Sequence, residues 1–121
     1  MDKRIEILKE LLRRTKNREA NWTPTNIVDQ YSFDLGTGKV IMDYNRPNVG
    51  MSLDPFIPHY DYKATFFNKK GTEIDSLSVT DANKISDNYK LLENLWNEIE
   101  DAYLGRNETL DSMLDALGLS K

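Results

Sequence analysis

Few side chains in this sequence could do chemistry, and His59 comes first because it is the only histidine. His59 and Asp61 are two residues apart, so a strand would place both side chains on one face. An imidazole beside a carboxylate can hold a metal ion or serve as the base of a hydrolase. Because no further ligand or nucleophile has a defined position near this pair, the sequence favours a surface or hydrogen-bonded histidine over a catalytic one.

Two other motifs match known sites only in part. Gly36-Thr37-Gly38-Lys39 resembles the end of a phosphate-binding loop, but it lacks the first glycine and the hydroxyl residue after the lysine. The segment 81–85 begins like a calcium loop, but Ile85 stands where a third ligand is needed. We therefore predict a hairpin turn at the first motif and a helix cap at the second.

The composition excludes thiol chemistry and favours one folded domain over residues 1–121. There is no cysteine, and 39% of the residues are hydrophobic, which is enough for one core at this length. We expect no catalytic residues, no metal and no cofactor. No apolar stretch is long enough for a signal peptide or a membrane span, so we expect a cytoplasmic protein without a membrane partner.

Charge is distributed unevenly along the chain. Residues 1–18 hold seven basic and three acidic side chains, although the net charge of the whole chain is -4. A dense basic helix could bind nucleic acid, but the pI near 5.0 argues against that partner. We expect Arg13, Arg14 and Lys16 either to pair with the acidic C-terminal helices or to remain solvated.

Hydrophobic periodicity predicts an α+β fold, in the order helix, four-stranded antiparallel β-meander, long helix and short C-terminal helix. The first helix runs from Asp2 to about Asn17. The predicted strands are residues 27–35, 39–44, 60–68 and 72–79. The long helix is capped at Thr80 or Asp81 and ends at Gly105. Asn107 or Thr109 caps the last helix, which should turn Leu110, Met113, Leu114 and Leu117 inward.

The helices are expected mainly on one face of the sheet, over a core that alternation and helical spacing select. The predicted core is Leu8, Leu12, Tyr31, Phe33, Val40, Met42, Tyr62, Phe66, Leu92, Trp96, Ile99, Leu114 and Leu117. The opposite face should expose Val28, Ile41 and Phe67. Together with apolar loop residues these would form a patch that favours a homo-oligomer, most simply a two-fold dimer.

The loop at 45–58 is the segment that an inert domain would not need. It holds three prolines and several large apolar residues, and such long loops are commonly functional. The leading hypothesis is a non-catalytic binding protein that contacts a protein partner through this loop, with Arg46, Met51, Phe56 and Ile57 in the contact surface.

Two alternatives remain open. An oligomeric protein could sequester a nucleotide-like ligand, with cations for phosphate and aromatic rings for stacking. The residues for that role are Trp22, Arg46, Tyr60, Lys63 and Lys69. The other alternative is a hydrolase that uses Asp61 and His59.

The order of several landmarks resembles a diffuse group of short bacterial and phage α+β proteins of unassigned function. These landmarks are Thr15, Trp22, Tyr31, Phe33, Gly38-Lys39-Val40, Tyr60, Tyr62, Asn68-Lys69-Lys70-Gly71-Thr72-Glu73-Ile74, Leu92, Leu95, Trp96, Leu110, Asp111, Met113, Leu114 and Leu117. They are core and turn positions, so the resemblance supports the fold and transfers no site residue. By analogy it implies an antagonist, immunity or ligand-sequestering role in host–phage conflict.

Overall fold

The computed structural model describes residues 2–45, 60–80 and 85–119, apart from the side chains of residues 104 and 106–108. The elements in chain order are α1 (Lys3–Lys16), β1 (Thr23–Pro24), β2 (Gln30–Asp34), β3 (Gly38–Tyr44), β4 (Tyr62–Asn68), β5 (Glu73–Val79), α2 (Asp87–Leu104) and α3 (Arg106–Ala116). The α+β class is confirmed.

The strands form one antiparallel sheet in the order β1-β2-β3-β4-β5, which is a meander with one strand more than predicted. The additional strand is β1, where Thr23 pairs with Ser32 and Pro24 with Tyr31. Short turns explain three of the antiparallel pairs, β1–β2, β2–β3 and β4–β5, because a hairpin returns the chain directly beside the strand it has left. β3 and β4 also pair, although residues 45–61 connect them.

The first predicted strand corresponds to β2, and its predicted start at Ile27 is wrong. A turn occupies that segment: the Thr25 N–H donates to the Gln30 carbonyl at 3.1 Å, and the Thr25 hydroxyl accepts the Ile27 N–H at 3.1 Å. Asp29 takes a positive φ of 58°, which breaks the extended backbone. Val28 is consequently 82% exposed in the turn and does not belong to the sheet face where it was predicted.

The core is one contiguous cluster between α1, α2 and one face of the sheet. Leu8, Met42 and Leu92 are completely buried, whereas Leu12 and Phe33 are partly buried against the cluster. The buried residues missing from the predicted core are Leu11, Ala20, Trp22, Ala64, Val79, Tyr89, Leu91 and Leu95. Most of them widen the apolar faces already assigned to the helices and strands.

Trp22 closes one end of this core. Its indole N–H donates to the buried Thr15 hydroxyl at 3.0 Å, and that hydroxyl donates to the Leu11 carbonyl at 2.6 Å. The Trp22 and Phe33 rings lie 5.3 Å apart. A polar chain inside apolar surroundings thereby joins α1 to the residue that leads into β1.

The long helix begins later than predicted. Its N-cap is Ser86, whose hydroxyl accepts the Tyr89 N–H at 3.1 Å, and Ile85 is exposed before it. The predicted cap Asp81 lies outside the described residues. The end of the helix at Gly105 is as predicted, with a left-handed φ of 60° that glycine adopts without steric cost.

The last helix differs from its prediction in two respects. It starts at once after Gly105, which serves as the N-cap without a side-chain hydrogen bond, so Asn107 and Thr109 are not its caps. Its apolar residues are not in the core, and the predicted burial of Leu114 and Leu117 is wrong. The physical reason is the change of direction at Gly105, after which α2 is the main neighbour of α3.

The basic side chains of α1 mostly pair within their own segment. Arg13 and Arg14 both bind Glu10, and Arg13 also lies 3.8 Å from Glu19. Among the described ion pairs only Arg18 reaches α2, at 3.7 Å from Glu98. Of the two expected alternatives for Arg13 and Arg14, pairing with the C-terminal helices is not found among the described ion pairs, and both side chains are about half exposed to solvent. No helix in the described ranges has the length and apolar character to cross a membrane.

Candidate functional site

The most exposed apolar surface that a single described element presents is one face of α3. Leu110, Met113, Leu114 and Leu117 follow the spacing i, i+3, i+4 and i+7, which places them side by side along a helix. Their exposed fractions are 52%, 55%, 42% and 71%. We call these four residues the α3 apolar row.

The C-terminal end of this helix is well formed, although its apolar row is not buried. Gly118, at φ 72°, donates its N–H to the Asp115 carbonyl at 3.0 Å, and the Leu119 N–H donates to Leu114 at 2.9 Å. These bonds satisfy carbonyls that a helix end leaves open. The row is therefore presented by a hydrogen-bonded helix, and contiguous exposed apolar surface of this kind marks binding sites on soluble proteins.

Aromatic contacts hold the end of α2 from which α3 departs. The rings of Tyr31 and Tyr103 lie 5.4 Å apart, and the Tyr31 hydroxyl donates to the Glu100 carboxylate at 3.0 Å. Burial, reinforced by that hydrogen bond, raises the pKa of Tyr31, so the hydroxyl stays protonated and keeps donating. Tyr103 is itself half exposed and extends the apolar surface toward α3.

The loop predicted to contact a partner lies mostly outside the described residues, and so do Arg46, Met51, Phe56 and Ile57. Its two ends are described. The Asn45 N–H donates to the Asp61 carbonyl at 2.9 Å, and the rings of Tyr44 and Tyr62 stack with centroids 5.0 Å apart. The loop therefore leaves and re-enters the fold at one end of the β3–β4 pair.

The described residues predicted to hold a nucleotide-like ligand do not all meet. The Lys63 ammonium lies 5.6 Å from the Tyr60 ring centroid, so these two form a pair. Trp22 is buried in the core. Lys69 follows the far end of β4, roughly 20 Å from Lys63 at the rise of an extended strand. Of the predicted ligand residues that the structure describes, only Tyr60 and Lys63 lie together.

The candidate catalytic residues are only partly described. His59 lies outside the described residues. A carboxylate oxygen of Asp61 accepts the Tyr89 hydroxyl at 3.2 Å, and the Asp61 N–H donates to Val79, so this residue ties β4 to α2 and β5. Within the described ranges no group of three carboxylate or histidine side chains could hold a metal ion.

The glycine motif at 36–39 forms the predicted hairpin turn. The Leu35 N–H donates to the Gly38 carbonyl at 2.8 Å, and Gly36 adopts a φ of 82°. Gly38 is needed for another reason, because a Cβ there would lie 2.7 Å from the Phe67 carbonyl oxygen on the neighbouring strand. The motif therefore has a structural role, in the turn between β2 and β3 and in the close pairing of β3 with β4.

The predicted apolar patch on the opposite face of the sheet is smaller than expected. Ile41 and Phe67 do lie on that face, but both are only partly exposed, and Lys39 places its ammonium 5.1 Å from the Phe67 ring centroid. Val28 lies apart from them in its turn.

Sequence reasoning identified the residues of the α3 apolar row and placed them on the wrong side. The available signal was electrostatic: after Arg106 at the start of α3, residues 107–120 contain three acidic and no basic side chains, so this segment has no cation to pair with the acidic α2. Comparison with protein-family models, curated protein sequences and solved structures finds no match to this chain.

Proposed function

We propose that this chain is a non-catalytic protein-binding protein of the antagonist, immunity or adaptor type, and that it binds its partner through the α3 apolar row. The observation that carries the proposal is the exposure of four large apolar side chains in one row, three on one face of α3 and the fourth, Leu117, at its C-cap. Removing such a face from water is the main driving force of protein association.

The spacing of the row supports a protein groove as the surface that receives it. Anchors at i, i+3, i+4 and i+7 are the pattern with which amphipathic helices bind apolar grooves. Residues 107–120 are acidic, so we expect basic residues around the groove of the partner protein. Opposite charges around an apolar contact favour the correct partner over others. A second copy of this chain would bring the same acidic segment to the contact, so it fits the α3 apolar row less well than a basic groove does.

The 45–58 loop is a second part of the proposed contact surface. Its prolines lower the ordering cost of presenting Phe56 and Ile57, and Arg46 is suited to an acidic group on the partner. Alanine at both Phe56 and Ile57 should weaken partner binding. If capture is unchanged in that variant, the loop does not belong to the surface.

The experiment compares the wild-type full chain with Met113→Glu and Leu117→Glu in affinity capture from the native host, followed by measurement of Kd with the purified partner. Both residues are already exposed, so a glutamate should leave the melting temperature almost unchanged. We expect each variant to raise Kd by at least about tenfold.

Ser112→Glu is the matched control, because Ser112 is exposed on the opposite side of the same helix. This variant adds the same charge and should bind like the wild type. If all three variants bind the purified partner equally well, the α3 apolar row is not the contact. Sedimentation of the same proteins tests whether the row instead binds a second copy.

The Tyr60–Lys63 pair supports the sequestering alternative, with Arg46 as a further cation for an anionic ligand. A ring beneath an ammonium group resembles half of a nucleotide site, where a base stacks and a cation meets phosphate. A nucleotide that raises the melting temperature of the wild type but not of Lys63→Ala would favour this alternative.

A further inference from the structure

The outer edge of β5 is the longest edge of the sheet, since the opposite edge strand β1 has only two residues. The Val79 carbonyl accepts the Asp61 N–H at 2.8 Å, so the backbone groups of Val79 point toward β4. Because this direction alternates along an antiparallel strand, Ser76 and Ser78 direct their N–H and C=O groups outward. Such outward groups are a template for another strand.

Arg4 occupies the middle of this edge. Its guanidinium donates from Nη1 to the Ser76 carbonyl at 2.7 Å, and the same nitrogen lies 3.5 Å from the Asp75 carboxylate. That carboxylate also accepts the Ser76 N–H at 2.8 Å. Both outward backbone groups of Ser76 are therefore satisfied by side chains, and neither is available to a strand.

The guanidinium is held in place from its other side. Asp2, the N-cap of α1, accepts from Nε at 3.1 Å and from Nη2 at 2.9 Å of Arg4. The hydrogen bond to Arg4 lowers the pKa of Asp2, so this carboxylate remains charged as a partner. The first turn of α1 thus positions a cation against a strand edge 72 residues later in the sequence.

We propose that the outer edge of β5 is a strand-pairing surface for a second copy of this chain, and that Arg4 and Asp75 keep it closed. This inference rests on the sheet edge alone and is independent of the role of α3. Opening the edge requires the Arg4 guanidinium to leave the Ser76 carbonyl. The two copies then pair across a two-fold axis.

The side chains of β5 suit a second copy in the antiparallel register centred on Ser76. In that register Asp75 of one copy faces Leu77 of the other, and the exposed Ile74 faces Ser78. No two acidic residues of the strand stand directly opposite each other. An extended segment of another protein would meet the same backbone groups, so the experiment separates these two occupants.

The experiment measures sedimentation velocity of the purified full chain over a range of concentrations, in a Met113→Glu background that removes association through α3. We expect Arg4→Ala to dimerise at least about tenfold more tightly than the chain that retains Arg4. Asp75→Ala frees the Ser76 N–H and also removes the carboxylate that helps to hold the Arg4 guanidinium over the Ser76 carbonyl. It does not alter α1, so it should promote dimerisation even if Arg4→Ala folds poorly.

Ser78→Pro is the specific control, because its N–H points outward and proline is tolerated on an edge strand while it blocks pairing there. Arg4→Ala with Ser78→Pro should return to the monomer. In Arg4→Ala alone, the Ser78 amide should gain protection from hydrogen exchange. The proposal is overturned if neither Arg4→Ala nor Asp75→Ala dimerises, because the edge could then pair only with an extended segment of another protein. It is also overturned if the Arg4→Ala dimer persists when Ser78→Pro is added.

Discussion

At the residue scale, Thr15 shows how one hydroxyl joins separate parts of the fold. It is completely buried, donates to Leu11 and accepts the Trp22 indole N–H. Thr15→Val keeps the shape but leaves the indole donor without its partner, so we expect a loss of about 1–3 kcal/mol in the free energy of unfolding. Chemical denaturation measures this loss.

Thr15→Ser separates the contribution of the hydroxyl to stability from that of the methyl group. It retains both hydrogen bonds and removes one methyl, so its cost should be smaller and the Trp22 indole proton should stay protected from exchange. Equal protection of that proton in the valine variant would contradict the proposed role of the hydroxyl.

A tryptophan is usually well buried, but residue types alone do not give the hydrogen-bond partner of Trp22. A threonine at position 15 continues the apolar spacing of the first helix, and this spacing places it on the buried side. The contact between the Thr15 hydroxyl and the Trp22 indole, seven residues later, depends on the turn after α1, where Arg18 has a φ of 60°. Nothing in the sequence marks Arg18 for that conformation, which an arginine seldom adopts.

At the element scale, the last two turns of α1 are arranged around Glu10. Hydrogen bonds from Arg13 and then Arg14 lower the pKa of the Glu10 carboxyl from 4.5 to about 2. Because the folded value lies below the unfolded one, the stabilisation is present above about pH 4.5 and is lost as the pH falls toward about 2. The pair is exposed, so salt should weaken the effect.

Carboxyl-carbon NMR titration tests this arrangement. The Glu10 midpoint should lie far below that of an isolated glutamate and rise toward it when Arg13 and Arg14 are both replaced by alanine. Lys16→Ala removes a charge from the same helix and should leave the midpoint where it was. A normal Glu10 midpoint in the wild type would show that the two arginines do not hold the carboxylate in solution.

A helix or strand could be predicted where its hydrophobic pattern repeats over several residues. Whether its apolar face is buried could not be predicted, because that depends on the neighbouring elements. The alternation of Val40, Met42 and Tyr44 was sufficient for β3, because one face of the strand is buried. The two residues of β1 are too few to alternate. For α3, the apolar spacing predicted a helix correctly but could not say whether its apolar face meets the core or remains exposed.

At the scale of the whole molecule, stability should be concentrated in the sheet centre and the two long helices. Amides of β3, β4 and α2 surround the buried cluster and should exchange slowest, whereas α3 makes few core contacts and should exchange much faster. Hydrogen exchange followed by NMR measures both. Protection in α3 equal to that in α2 would mean that the row is covered in the free protein.

The α+β class and the meander order were recoverable from the sequence because most connections between the strands are short turns. The longest-range contacts were not, since pairing between Arg4 and Ser76 has no signature in either segment. The same limit applies to the candidate surface, where the four apolar residues of α3 were recognised but their exposure follows from the direction that the chain takes at Gly105.

The contact between Arg4 and β5 also bears on how the chain folds as it is synthesised. The sheet grows by one hairpin at a time, so each new strand is briefly an unpaired edge while the next is still being made. Among the described residues, no later strand covers the last of these edges. Its covering side chain lies in a segment that is translated before β5, so Arg4 is already outside the ribosome when β5 emerges, and the completed sheet does not wait with an open edge.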